Sequence, residues 1–357
     1  MKKIFILFFF LSVPMLSLAQ PADYNNIDNW KSICYCSYNL IHPQTIVKAD
    51  NNWQLLLALR NGLSLVQLDS LNISYTQSQL LLLRSQRLVR RSQNIYTTAI
   101  PIFDKEQTIN MRTHSQVIAN NLYSEIEQEC RDLVAHLSLQ NKSSNAFSIL
   151  FSYVLDGLMW ERFEKEGIVT ERDRTGIWSG YYWFLTPKRA SQWGTNSLSI
   201  GEFEFSVNWS VVEDITDGLF DNDFEALFKS ITKDGFISDQ KVFDEFSVFG
   251  FFDQNSALTI PIINEKERNE LCTLSDRIID KLLPAFMTKE NIETFKILHQ
   301  FGDMSEAVVI IYHEVMWDLM DLLLKNNVIQ SPTIFLSPEN AKSTDAADLC
   351  FIVIRNS

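Results

Sequence analysis

Residues 100–107 read IPIFDKEQ, and residues 260–267 read IPIINEKE. Aligned without gaps, the stretches from Ile100 to Ile118 and from Ile260 to Ile278 share Ile100/Ile260, Pro101/Pro261, Ile102/Ile262, Thr113/Thr273, Ser115/Ser275 and Ile118/Ile278. Two further pairs follow in the same order at nearly constant offset. AFSILFSYVLDGLMW from Ala146 lies opposite AVVIIYHEVMWDLMD from Ala307, and FLTPKRA at 184–190 lies opposite FLSPENA at 335–341. Self-similarity at a fixed period constrains a fold more than composition does. The expectation is two copies of one α+β, helix-rich unit, at 50–202 and 203–357, behind a lead segment at 20–49. Two copies are too few for an open solenoid, so a pseudo-symmetric pair is expected.

Within the first copy, Trp53, Leu56 and Leu57 repeat at helical spacing over 50–60, and Asn61-Gly62 should stop that helix. A second short helix is expected over 63–71. Ser74-x-x-Gln77 reads as a capping box ahead of a third helix, Thr76 to Arg87. The β-branched and aromatic run that ends in IYTTAIPIF predicts a hairpin over 88–103. Long helices are then expected over 104–138 and 264–286, and helices apolar on every side over 146–164 and 306–325, which belong in a core. The segments 178–210 and 333–354 read as strands. The acidic copy has room only for a helix, a connecting helix and a shorter hairpin before its long helix.

The stretch LLLLRSQRLVRR resembles the L-x-x-L-x-x-x-G-L-V-x-R signature of the winged helix-turn-helix fold in small repressors of the MarR and ArsR type. Leu80, Leu83, Leu88 and Val89 fill its apolar slots, and Arg87 stands where that signature usually has Gly. The resemblance covers residues 50–103 only. It implies a winged helix with DNA binding, an implication the residues themselves resist. The outward positions of the third helix include Leu81 and Leu82, which cannot hydrogen-bond to base edges. Arg84, Arg90 and Arg91 could give a few phosphate contacts, which make weak, salt-sensitive binding. The same leucines and arginines suit an interaction surface for another protein.

At the N-terminus, Lys2 and Lys3 precede an apolar run from Ile4 to Leu18, and Ser17-Leu18-Ala19 has the small-x-small form of a processing site. Residues 1–19 therefore read as a secretory signal peptide, too short to span a bilayer. The expected location is periplasmic or extracellular, with no stable membrane insertion after signal removal. The net charge of −13 sits in the second half, where residues 203–357 carry 12 basic against 27 acidic side chains. Such a surface repels nucleic acid. The five cysteines are scattered apart from Cys34-x-Cys36 and form neither a disulfide framework nor a paired zinc ribbon.

Three segments carry candidate chemistry. In YHEVMWDLMD (312–321), His313-Glu314 opens like an H-E-x-x-H zinc motif, but Trp317 stands at the second ligand position. Glu314, Asp318 and Asp321 fall at i, i+4 and i+7, one stripe of a helix. They could hold a cation, serve as acid and base, or meet arginines, with Asp156 and Trp160 of the matching helix facing them. Asp221-x-Asp223-x-Glu225 has the oxygen spacing of a calcium loop but lacks its glycine and its distal glutamate. The aromatic stretch WSGYYWF (178–184) is either strand core or a sugar- or peptide-binding surface. Phosphate loops, dinucleotide fingerprints and nucleophile elbows are absent, and no cofactor is expected. The sequence thus points to an exported, non-enzymatic binding protein with a protein or peptide partner. A metal-dependent hydrolase using His313, Glu314 and Asp318 stays open, as does a membrane-tethered DNA-binding regulator.

Overall fold

The computed structural model describes residues 26–39, 41–172, 177–211, 215–231 and 237–355, so residues 1–19, expected to be a signal, lie outside the described residues. The chain is α+β and divides into two compact units. The first comprises residues up to Lys31 together with Pro43–Ile100, and the second comprises Ser32–His42 together with Pro101–Ser357. The expected boundary at 202/203 falls inside the second unit, in the tight turn between two paired strands. The chain's first strand, β1 (Lys31–Tyr38), runs almost wholly in the second unit.

In the first unit, helices α1 (Pro43–Lys48), α2 (Asn52–Ala58), α3 (Leu65–Ser70) and α4 (Gln77–Ser85) pack with a small antiparallel sheet. Its strands are β2 (Leu63–Ser64), β3 (Val89–Ser92) and β4 (Ile95–Thr98), in the order β2-β4-β3. Trp53, Leu55, Leu56, Leu59, Leu68, Leu80, Leu83 and Leu88 form its core. The third helix is capped two residues later than expected. Thr76 Oγ1 accepts from Gln79 N at 3.0 Å and the Gln79 side chain returns to Thr76 N at 2.8 Å, whereas the Ser74 carbonyl accepts from Asn51. Leu63-Ser64 pairs with β4 instead of starting a helix, and Ser64 then caps α3 through a box with Gln67. Arg87 closes α4 with φ at +58°, a left-handed conformation that favours glycine.

The second unit is built on α5 (Lys105–Leu139), whose 35 residues extend about 52 Å. Its buried stripe runs through Met111, Ser115, Ile118, Leu122, Ile126, Cys130, Leu133 and Leu137, a three–four spacing. A continuous helical rod follows: α6 (Ala146–Ser148), a π-helix (Ile149–Leu158) and α7 (Met159–Lys165). Helices α8 (Thr216–Phe220), α9 (Phe224–Ser230) and α10 (Gln240–Ser247) cover a phenylalanine cluster around Phe205, Phe224, Phe246 and Phe251. Next come α11 (Glu270–Phe286), α12 (Lys289–His299) and the buried α13 (Met304–Lys325), with α11 and α13 packing on α5. The segment read as strand over 333–354 is mostly α14 (Thr333–Leu336) and 3₁₀ turns, and only its last residues are extended. Pro338, which lacks the N–H that a ladder needs, starts one of these 3₁₀ turns.

Two sheets flank these helices. One has the order β1-β6-β5, with β5 (Ile102–Phe103) parallel to β6 (Trp178–Leu185). The other has the order β7-β8-β10-β9, from β7 (Trp193–Ile200), β8 (Phe203–Ser210), β9 (Ile262–Asn264) and β10 (Cys350–Ile354). There β9 runs parallel to β10 while β8 runs antiparallel to it. Among the described residues, no helix is long and apolar enough to cross a membrane.

Candidate functional site

Within the π-helix of the rod, the turn that ends at residue 157 needs a glycine. In a π-turn the carbonyl of residue i faces residue i+5, and a Cβ on Gly157 would stand 2.8 Å from the Ser152 oxygen. Glycine removes that clash. Runs of π-helix are uncommon and cluster at functional sites. This one forms a wall of a cavity of about 450 Å³, within the roughly 300–1,000 Å³ of small-molecule sites.

Asp156 sits at the centre of the polar wall. Its Oδ1 accepts from Trp160 Nε1 at 3.2 Å and its Oδ2 accepts from Thr195 Oγ1 at 2.7 Å. The Thr195 proton is thereby used, so Ser152 donates across the 2.7 Å Ser152–Thr195 contact. Ser152 in turn accepts from Asn208 Nδ2 at 2.6 Å. A directed chain of donors therefore ends on one carboxylate. Burial raises Asp156 to about 6, against the opposing pull of Thr195, Trp160 and Arg172.

His313 reaches the same cavity from α13. Its Nδ1 lies 2.7 Å from the Val309 carbonyl, which can only accept, so Nδ1 carries the proton and Nε2 keeps the lone pair. The ring packs among Tyr35, Trp160, Trp183 and Trp317. Burial among these rings depresses its pKa to about 4, and the imidazole is neutral at ordinary pH.

The rim is charged. Glu164 accepts from the Tyr35 hydroxyl at 2.7 Å and from Arg172 Nε at 3.0 Å, and the Arg172 guanidinium lies 4.1 Å from the Tyr35 ring centre. Arg355 bonds Glu161, Glu265 and Glu204 at 2.8–3.0 Å. Four carboxylates, Asp156, Glu161, Glu164 and Glu204, thus face two guanidinium groups that are already bonded to carboxylates. Cys34 and Cys36 of β1 line the cavity as well. The Cys36 thiol is the largest of the influences that draw Cys34 down to about 5, and His42 adds to it.

The helix stripe read from the sequence divides between two environments. His313 turns to the cavity, where it packs on Trp160 and shares the lining with Asp156. Glu314, Asp318 and Asp321 turn instead to arginine. Arg189 bonds Glu314 at 3.1 Å, Asp318 at 2.8 Å and Asp321 at 3.0 Å, and Arg112 Nε reaches Glu314 at 3.0 Å. Ser115 donates to Asp318 at 2.5 Å. The cation expected among these carboxylates is already in place as guanidinium. Of the three roles open to the stripe, meeting arginines is the one the geometry fits, and among the described residues these carboxylates do not form a cluster of close ligand atoms that could hold a metal ion.

The acidic turn is likewise explained locally. Asp223 caps α9 by accepting from Ala226 N at 2.9 Å, and Glu225 pairs with Lys229 one turn on. Among the described residues, Asp221, Asp223 and Glu225 do not form a cluster of close ligand atoms of the kind a calcium loop would require. In the first unit, Leu81 is 64% and Leu82 37% exposed, and Arg84, Arg90 and Arg91 are exposed beside them. The aromatics of 178–184 are mainly core, with Tyr182, Trp183 and Phe184 buried.

Compared with protein-family models, with curated proteins and with solved structures, the chain matches none. The cavity therefore has to be read from its own residues. Several of them lack a sequence signal: Ser152 and Glu164 share the rod, while Arg172, Thr195 and Arg355 come from three other segments, with no common spacing. One signal was available. Cys34-x-Cys36 on a strand puts both thiols on one face.

Proposed function

We propose that this protein binds a small, positively charged polar ligand in the cavity walled by the π-helix. The observation that carries the reading is the surplus of carboxylates around Asp156, with both facing arginines already engaged. A partly enclosed cavity concentrates that negative field, and an ammonium group with hydrogen-bonding neighbours is the complementary chemistry. The neutral Nε2 of His313 adds an acceptor. Isothermal titration with small diamines, and with neutral diols and dicarboxylates of the same length, tests it. Amines should bind at least tenfold tighter than diols, and Asp156→Asn should remove most of that preference. Equal binding of all three classes would refute the reading.

Around this site we read an exported binding protein, with residues 1–19 as its signal. Its first unit is winged-helix-like, as the succession α2-α3-α4-β3-β4 and the left-handed Arg87 support. We read Leu81 and Leu82, with Arg84, Arg90 and Arg91, as a protein-docking face; the DNA-binding alternative rests on the same arginines. The second unit we read as retaining a duplication. Each IPI strand, β5 or β9, precedes a long helix and lies parallel to a strand some 80–90 residues later. FLTP and FLSP depart from that scheme, one ending β6 and the other ending α14. The hydrolase built on His313, Glu314 and Asp318 is not carried forward, because the arginines hold two of its three residues.

A further inference from the structure

We propose that Cys34, Cys36 and His42 bind one zinc ion at the wall of the cavity, leaving a fourth coordination position for water or a ligand atom. The proposal goes beyond the amine-binding reading and does not depend on it. Alternation along β1 places the two thiols on one face and the ring of Tyr35 on the other. His42 follows β1, just before α1, and its imidazole returns to the thiols. The Sγ and ring-nitrogen atoms of the three residues all lie within 4.8 Å of one another. Zinc bonds of roughly 2.0–2.3 Å at tetrahedral angles need ligand atoms about 3.5–3.8 Å apart. Side-chain rotations alone close that difference.

The surroundings hold the donors in place. Tyr38 meets the His42 ring edge-on at 4.9 Å between centres, and Tyr182 does so at 5.9 Å. Gly180 of β6 sits flush against the backbone of Tyr35 and Cys36, where any Cβ would collide with the Tyr35 carbonyl. That backbone fixes the strand between the two cysteines. The donor set decides the metal class: two thiolates and an imidazole suit zinc and exclude the oxygen-seeking magnesium and calcium. Three ligands also decide the kind of site. Structural zinc is closed by four protein ligands, whereas three leave an open position. Cys34 and Cys36 line the cavity, so an ion between them stands where a bound molecule can reach it.

The test uses the full chain, purified under reductant, stripped with a chelator, loaded with zinc chloride and desalted. Mass-spectrometric metal analysis should give close to one zinc per chain. Cys34→Ser and His42→Ala should each weaken zinc binding at least tenfold, measured against a competing chelator. Cobalt in place of zinc should show a sulfur-to-metal charge-transfer band that Cys34→Ser diminishes. Cys34 is exposed, so its substitution leaves the fold intact, and circular dichroism checks this. Less than a tenth of an ion per chain, or full loading of the Cys34→Ser/His42→Ala double variant, would overturn the proposal. The readout is metal content, so its failure leaves the amine-binding reading standing, and failure of the amine titration leaves the metal site standing.

Discussion

Arg189 reaches the carboxylate of Asp318 at 2.8 Å, across 129 positions of sequence, with both side chains almost wholly out of solvent. The same guanidinium serves Glu314 and Asp321. Buried ion pairs contribute little net stability over apolar residues of the same shape, but losing one partner strands the other. Arg189→Ala would leave Glu314 and Asp318 with only Arg112 and Ser115. A loss of about 3–5 kcal/mol is expected from urea unfolding. Asp321→Ala, which removes the most exposed of the three carboxylates, should cost about 1 kcal/mol or less. Equal losses for the two variants would show that the cluster does not act as a buried network.

Asp156 and His313 give opposite pH dependences from one cavity. Asp156 is raised to about 6, so its stabilising contribution is complete below the ordinary carboxylate range and is lost as pH rises through 6. His313 is lowered to about 4, so its contribution is complete above the ordinary imidazole pKa and is lost as pH falls through 4. Each shift is worth on the order of 3 kcal/mol, and between pH 4 and 6 the two largely cancel. Arg172 is the charged group that acts on both, and Glu164 is its partner. Relative to the parent, Asp156→Asn should lose stability as pH is lowered from 7 to 4, and His313→Gln should gain it. Urea midpoints at four pH values between those limits check the signs. Two parallel curves would mean that the cavity does not hold the two groups in these states.

Gly157 is the residue on which the π-turn depends. A methyl group there meets the Ser152 carbonyl, and backbone cannot rotate away as a side chain can. Gly157→Ala should therefore cost about 1–3 kcal/mol, the usual range for overpacking. It should also weaken ligand binding by displacing Ser152 and Asp156, which the same turn carries. Ala at the exposed Gly167, where a Cβ meets nothing within 4 Å but φ is +68°, should lose stability without touching binding. Thermal unfolding and the amine titration, run on both variants, separate the two effects.

The legible part of the fold was what depends on local period. The stripe of α5, the buried α13 and the strands of 178–210 follow from apolar spacing. So do α2, α4 and the β3-β4 hairpin of the first unit, but not α1 or the β2 pairing of Leu63-Ser64, which depends on a distant partner. The cap moved by two residues because Ser74 and Thr76 are equally good cap acceptors by sequence, and the neighbouring Asn51, which donates to the Ser74 carbonyl and accepts from Gln79, favours Thr76. The candidate site was half legible. Asp156, Trp160 and His313 stood out as polar or indole groups on greasy helices; Trp160 touches both of the others, and all three line one cavity. Arg189 and Arg112 were invisible as partners of Glu314, because nothing local links a residue on α5, a loop after β6 and a turn of α13. The rim residues were hidden for the same reason.

The face made by Leu81, Leu82, Arg84, Arg90 and Arg91 separates docking on a protein from binding to duplex DNA. These side chains are exposed, so Leu81→Asp and the pair Arg90→Ala/Arg91→Ala should each change stability by only about 0.5 kcal/mol. Three phosphate contacts, if made, give affinity that falls about fortyfold between 50 and 200 mM salt. A docking face predicts something else: no measurable binding of a random duplex at 50 mM salt in a fluorescence-anisotropy titration. The acidic second half, with its 27 carboxylates, opposes approach to any polyanion and favours that outcome. Binding at low salt that Arg90→Ala/Arg91→Ala abolishes and Leu81→Asp leaves alone would instead assign this face to nucleic acid, and the two leucines would lose their role.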